Sequence, residues 1–314
     1  MTWWQEFIKL DETKESLLEK IIYLKTTGLK NYETEAATLL NKNGKKTIPR
    51  LPVEKLIQES LSTSMPSATN SKNYYIANVT SFLTVLPLLI NKLHSHLEKY
   101  TPTSKDLLIF NHYHSLRRIL FDGILILREI EMDLHKKKIS RFHLGKYPVI
   151  HQLDYLITVD QLIFGQRSFN SKWDTTPEFS AAIIRMMIEV RLRLLTGIVG
   201  SVNIKTNAIE PLTMRPIFNA LEKTKNDYHL TVSISTLQRI YTWANIFLHS
   251  SFKPYMWQPI LIRKCLSQFI AGPQSSRRSK KNNKVFFSKK TMLKVQGIVR
   301  AGIQKNPDFD MLTW

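Results

Sequence analysis

Cysteine is almost missing from this chain: Cys265 is the single thiol in 314 residues. One thiol can close no disulfide within the chain and no multi-cysteine zinc site, and it fits a reducing compartment. Glycine is scarce as well, at 10 residues, too few for the regular turn spacing of an all-β fold. Long apolar runs are also absent. The most apolar stretch, residues 82–90, contains Pro87 and falls far short of the roughly 20 residues that a bilayer requires. The N-terminus, MTWWQEFIKLDE, places acidic residues where a signal peptide has basic ones. The expectation is therefore a cytoplasmic protein with no transmembrane helix and no membrane partner.

The signatures of several chemistries are missing too. There is no phosphate-cradling glycine loop, no defensible Ser-His-Asp arrangement and no internal repeat. Two histidine pairs, His94-x-His96 and His112-x-His114, have metal-site composition. On a helix an i, i+2 pair points about 200° apart, so neither pair closes on one ion. No metal and no cofactor are expected.

Acidic side chains are in short supply relative to basic ones, 25 against 45, for a formal charge of +20. Residues 273–305 hold ten of the basic residues and no acidic one. Such a field concentrates polyanions and gives salt-dependent affinity through counterion release, so the expected partner is a nucleic acid.

What the chain has in quantity is leucine, isoleucine and lysine at helical spacing, and the expected fold class is all-α. Residues 11–28 read as a first helix stopped by Gly28, followed by a weaker helical stretch, a loop at 41–52 and a short helix at 53–60. Together, 1–60 form an N-terminal helical region. Residues 61–73, rich in Ser, Thr and Asn, read as a linker. Residues 74–99 and 104–138 read as two long helices within a hairpin region, 74–145. A bundle at 146–272 and a basic tail at 273–314 complete the expected organisation.

Two helices in the second half are unusual. AAIIRMMIEVRLRLLTGIVG, residues 181–200, is apolar nearly all round except for Arg185, Glu189 and Arg193, which fall on one stripe at spacings of four. A helix apolar all round is buried, so this ladder is expected to be at least partly buried. STLQRIYTWANIFLHSS, residues 235–251, has an apolar face of Leu237, Ile240, Trp243, Ala244, Phe247 and Leu248. Its polar stripe of Gln238, Thr242, Asn245 and His249 lies within about a 60° arc. Buried polar groups are costly unless paired, so the two stripes are expected to face each other, as an internal network, or a shared ligand.

The order of IIRMMIEVRLRLL, PIFNALEK and IYTWANIFLHSS resembles the HEPN superfamily of four- to five-helix bundles, over about 40% of the chain. The resemblance implies a metal-independent ribonuclease site of the pattern RNxxxH, usually composed across a dimer, and a setting in bacterial anti-phage defence or a toxin system. Asn245 and His249 match its polar residue and histidine. Ala244 stands where the family has arginine, so Arg239, Arg193 or Arg185 would have to substitute, with Glu189 in the same network. What this implies is an RNA-binding protein with a degenerate catalytic motif, RNA being favoured over DNA. An active ribonuclease and a protein-interaction scaffold are the alternatives, and a homodimer or larger nucleoprotein complex is a possible assembly.

The nucleic-acid contacts themselves are expected in the basic tail. Arg277, Arg278, Lys280, Lys281, Lys284, Lys289, Lys290 and Lys294 would track phosphates while Phe286 and Phe287 stack on bases.

Overall fold

The computed structural model describes residues 14–40, 47–61, 71–98, 107–134, 176–250, 255–271 and 287–313. The protein is all-α in class, mostly helical with one small three-stranded sheet. Packing divides the chain into two units, Met1–Ala181 with Ile246–Ile262, and Ala182–Asn245 with Arg263–Trp314. These boundaries fall inside helices rather than at the expected positions 145/146 and 272/273, because composition marks flexible chain and not which helix faces share a core.

The first unit begins with α1, Lys14–Tyr23, and α2, Leu29–Leu40. Gly28 does not stop the first helix as expected. A π-helical turn, Leu24–Gly28, joins the two, and Leu29 donates its N–H to the Leu24 carbonyl. Glycine ends a helix only where the chain turns left-handed, and here the backbone stays right-handed. Helix α3, Val53–Ser60, follows as expected, and α4, Ser71–Glu98, packs on α1, α2, α3 and the next long helix, α5, Leu107–Leu134.

The expected linker at 61–73 therefore connects packed neighbours within one unit. Leu61 is fully buried and residues 71–73 form the first turn of α4, while 62–70 lie outside the described residues. Pro87 does not interrupt α4. Losing one helical hydrogen bond there costs about 3 kcal/mol, which burial of Val85, Leu86 and Ile90 offsets. Residues Ser71–Ser95 form a helix that is long and apolar enough, by length and composition alone, to cross a bilayer, and much of it is buried inside the protein.

Gly123 on α5 sets how closely α4 and α5 approach. A Cβ there would meet the Phe82 ring at 2.6 Å, and Tyr32 Oη donates to the Gly123 carbonyl at 3.1 Å. Trp257 completes this core, with its indole N–H on Asn78 Oδ1 at 3.2 Å and its ring edge-on to Phe82 at 5.6 Å. The Asp122 carboxylate accepts the Met256 N–H at 2.7 Å, and Tyr255 donates to Glu129 at 2.8 Å.

The second unit is built around α6, Thr176–Thr196, which ends where Gly197 adopts φ +68°. That stop comes earlier than the sequence suggested, since the apolar residues after Gly197 form strand β1, Ile198–Asn203. Strand β1 is flanked antiparallel by β2, Ile209–Glu210, and by β3, Phe309–Thr313, in the order β2-β1-β3. Helices α7, Met214–Lys223, and α8, Ile234–Ser250, follow, then α9, Trp257–Ala271, and α10, Lys289–Ile303. Helix α10 buries Thr291, Val295 and Val299 and packs against α7 and β3. From 287 to 313 the chain is thus folded structure, and the expected basic tail does not describe it.

Candidate nucleic-acid interface

The Arg-Glu-Arg ladder on α6 exists and is partly buried. Arg193 Nη2 lies 3.0 Å from Glu189 Oε1, and Arg185 Nε lies 3.9 Å from Glu189 Oε2. Arg193 also donates to the carbonyls of Val199 and Leu212, the latter at 2.7 Å. Its guanidinium therefore ties α6 to β1 and to the chain entering α7. Donors spent on carbonyls and a carboxylate are not presented to a phosphate, so the geometry gives Arg193 and Glu189 a structural role in place of the expected catalytic one. The Arg185 guanidinium sits 5.5 Å from the centre of the Tyr241 ring.

The remainder of α6 departs from the expectation of all-round burial. Ile183, Met186, Val190 and Leu194 are each about half exposed or more and lie on one line. The helix is apolar there without being covered by the described chain.

On α8, Gln238, Thr242 and His249 are exposed and Arg239 is half-buried. Asn245 is half-buried with its Oδ1 shielded from solvent and without a hydrogen-bond partner among the described residues. The polar stripe is therefore largely a solvent-facing stripe, and the element that meets Arg185 is its neighbour Tyr241. Ala244, at the position of the family arginine, is fully buried beside Trp243. A guanidinium there would carry a charge into the core. Among the described residues no group of three His, Cys, Asp or Glu could hold a metal ion.

Of the expected nucleic-acid contacts, Arg277, Arg278, Lys280, Lys281, Lys284 and Phe286 lie outside the described residues. Phe287 is not free to stack on a base: its ring packs on Tyr228, centroids 4.6 Å apart and tilted 31°. Tyr228 Oη donates to the Leu221 carbonyl at 2.6 Å, and burial, then Glu222 and Asp227, push its phenol far above the ordinary range. Lys294 is paired with Asp227 at 2.6 Å, and Thr291 donates to the Asp227 carbonyl. These contacts pin the start of α10 against the end of α7. Ser288 caps α10 by accepting the Thr291 N–H, and Lys289 and Lys290 stand exposed in its first turn.

The balance of charge in this unit is one-sided. Its carboxylates are consumed by intrachain pairs: Glu189 as above, Glu222 with Lys225, Asp227 with Lys294, Asp308 with Lys205 and Asp310 with Arg300. Glu210 is the remaining acidic side chain of its described residues. Arg215, Lys223, Arg263, Lys264, Lys289, Lys290 and Lys305 are exposed and have no carboxylate partner among the described residues. Arg215, Lys223, Arg263, Lys264 and Lys305 are not among the residues expected from the sequence, because an isolated basic residue carries no signal until its partners in the fold are known.

No family model, curated protein or solved structure matches the chain. The HEPN resemblance accordingly rests on the residues quoted for it.

Proposed function

We propose that this protein binds nucleic acid, RNA in preference to DNA, through the basic surface of its second unit, and that its HEPN-like motif is degenerate. The observation that carries the reading is the surplus of exposed cations left after nearly every carboxylate of that unit is paired. Lys289 and Lys290 add to it, because cations in the first turn of a helix oppose the macrodipole. Nothing among the described residues accounts for placing them there, whereas a phosphate does. The preference for RNA, and a setting in bacterial defence or a toxin system, come from the resemblance alone. Burial of Ala244 supports the degenerate motif.

The test is fluorescence anisotropy of labelled RNA and DNA of one sequence over a range of salt. Binding should weaken steeply with salt, and Lys289→Glu with Lys290→Glu should flatten the log–log slope by about 1.4 for a single strand. Absence of salt-dependent binding sinks the reading. RNA recovered cut, with DNA intact, would replace it with the ribonuclease alternative, since cleavage through a 2′-hydroxyl spares DNA.

A further inference from the structure

Helix α10 has two opposite faces. Thr291, Val295 and Val299 are buried against the rest of the unit, and Gln296 donates to the Thr196 carbonyl at 2.9 Å. The other side carries Lys290, Gly297 and Ala301 on one line within about 40° of arc, continued beyond the helix end by Lys305. All four are exposed. From Lys290 to Lys305 this line is about 22 Å long at the helical rise.

Gly297, on this exposed line, has no cause among the described residues. A Cβ built at Gly297 would meet no atom within 4 Å, and its φ is not positive. Neither packing nor backbone conformation asks for glycine there, and glycine weakens a helix interior relative to alanine. What a bare helix surface provides is close approach by something outside it. Charge says what that is. The helix sequence, KKTMLKVQGIVRAGI, contains no acidic residue, and the carboxylates that reach it, Asp227 and Asp310, neutralise Lys294 and Arg300. Among the described residues, no carboxylate compensates Lys289, Lys290 and Lys305 at its two ends. A second α10 packed on the same face would set like charges against each other, so the charge favours a polyanion over self-association.

Resting on the nucleic-acid reading above, we infer that the exposed face of α10 is the docking line for an RNA phosphodiester backbone. Lys289 and Lys290 hold phosphates at one end and Lys305 at the other. Gly297 and Ala301 let the strand lie against the helix backbone between them.

The experiment pairs Gly297→Gln with Ala301→Gln, both neutral and helix-compatible, and measures RNA affinity, melting temperature and oligomeric state by light scattering. Gly297→Gln should raise the melting temperature and weaken RNA binding about tenfold or more, with Ala301→Gln weakening it similarly. Unchanged affinity in both variants, while Lys289→Glu with Lys290→Glu loses binding, overturns the docking line and leaves the nucleic-acid reading standing. Wild-type protein that binds no RNA ends both. A wild-type dimer that either glutamine variant dissociates would make the face a contact between copies and overturn the inference.

Discussion

Helices α6 and α10 belong to the same unit and are both rich in cations, yet they use them in opposite ways. On α6 the guanidinium of Arg193 is spent on Glu189 and on two backbone carbonyls, so its charge is a fastening. On α10 no carboxylate shares the helix, and Lys289 and Lys290 face solvent in the turn where the macrodipole least favours them. The lesson is that a basic residue points to a ligand only once its partners within the chain have been counted. The two glycines Gly123 and Gly297 repeat the contrast, one required by a phenylalanine ring against it and the other by nothing among the described residues.

Breaking the fastening should have the largest effect. Arg193→Ala removes three hydrogen bonds and leaves Glu189, whose side chain is 26% exposed, with the longer 3.9 Å contact to Arg185. A loss of about 3 kcal/mol is expected in chemical denaturation, with RNA affinity unchanged for the protein that remains folded. Lost affinity at full stability would place Arg193 in the interface and collapse the distinction between the two helices. Next comes Gly123→Ala, which gains helix propensity but forces the 2.6 Å contact with Phe82 to open. Overpacking of this kind should destabilise by about 1 to 3 kcal/mol. A stabilised variant would mean that α4 and α5 adjust freely and that the two glycines are alike.

The smallest effect concerns how α10 is fixed to α7. Tyr228→Phe loses the hydrogen bond to the Leu221 carbonyl, worth about 1 kcal/mol. The wild-type phenol has a raised folded-state value, so its contribution is complete below the unfolded value near pH 10 and disappears as pH rises through the folded value. The stability gap between wild type and Tyr228→Phe should therefore be constant from pH 7 to 9 and narrow above pH 10. A gap that persists there would mean that ionisation of Tyr228 is not linked to folding. Buried Tyr32, shifted in the same direction, adds an alkaline loss common to both proteins.

Periodicity made most helices legible. The short helix at 53–60, the two long helices after it and the one reading IYTWANIFLHS occur close to where apolar spacing places them. The sheet was not legible, because β1 continues the apolar run of α6 without a change in composition and pairs with β3 more than a hundred positions away. Helix α10 was hidden differently: its buried residues, Val295 and Val299, recur every turn, but ten basic residues with no acidic one between 273 and 305 suggested solvated chain.

At the candidate site, the sequence by itself determined the excess of positive charge, the ladder on α6 and the apolar side chain at 244, since these follow from residue identity and helical spacing. Only the tertiary structure decided which cations are spent. Ion pairs such as Lys294 with Asp227 and Lys205 with Asp308 join residues far apart in the chain. Electrostatic pairing acts over a few ångströms of space, and a linear pattern contains no measure of that distance.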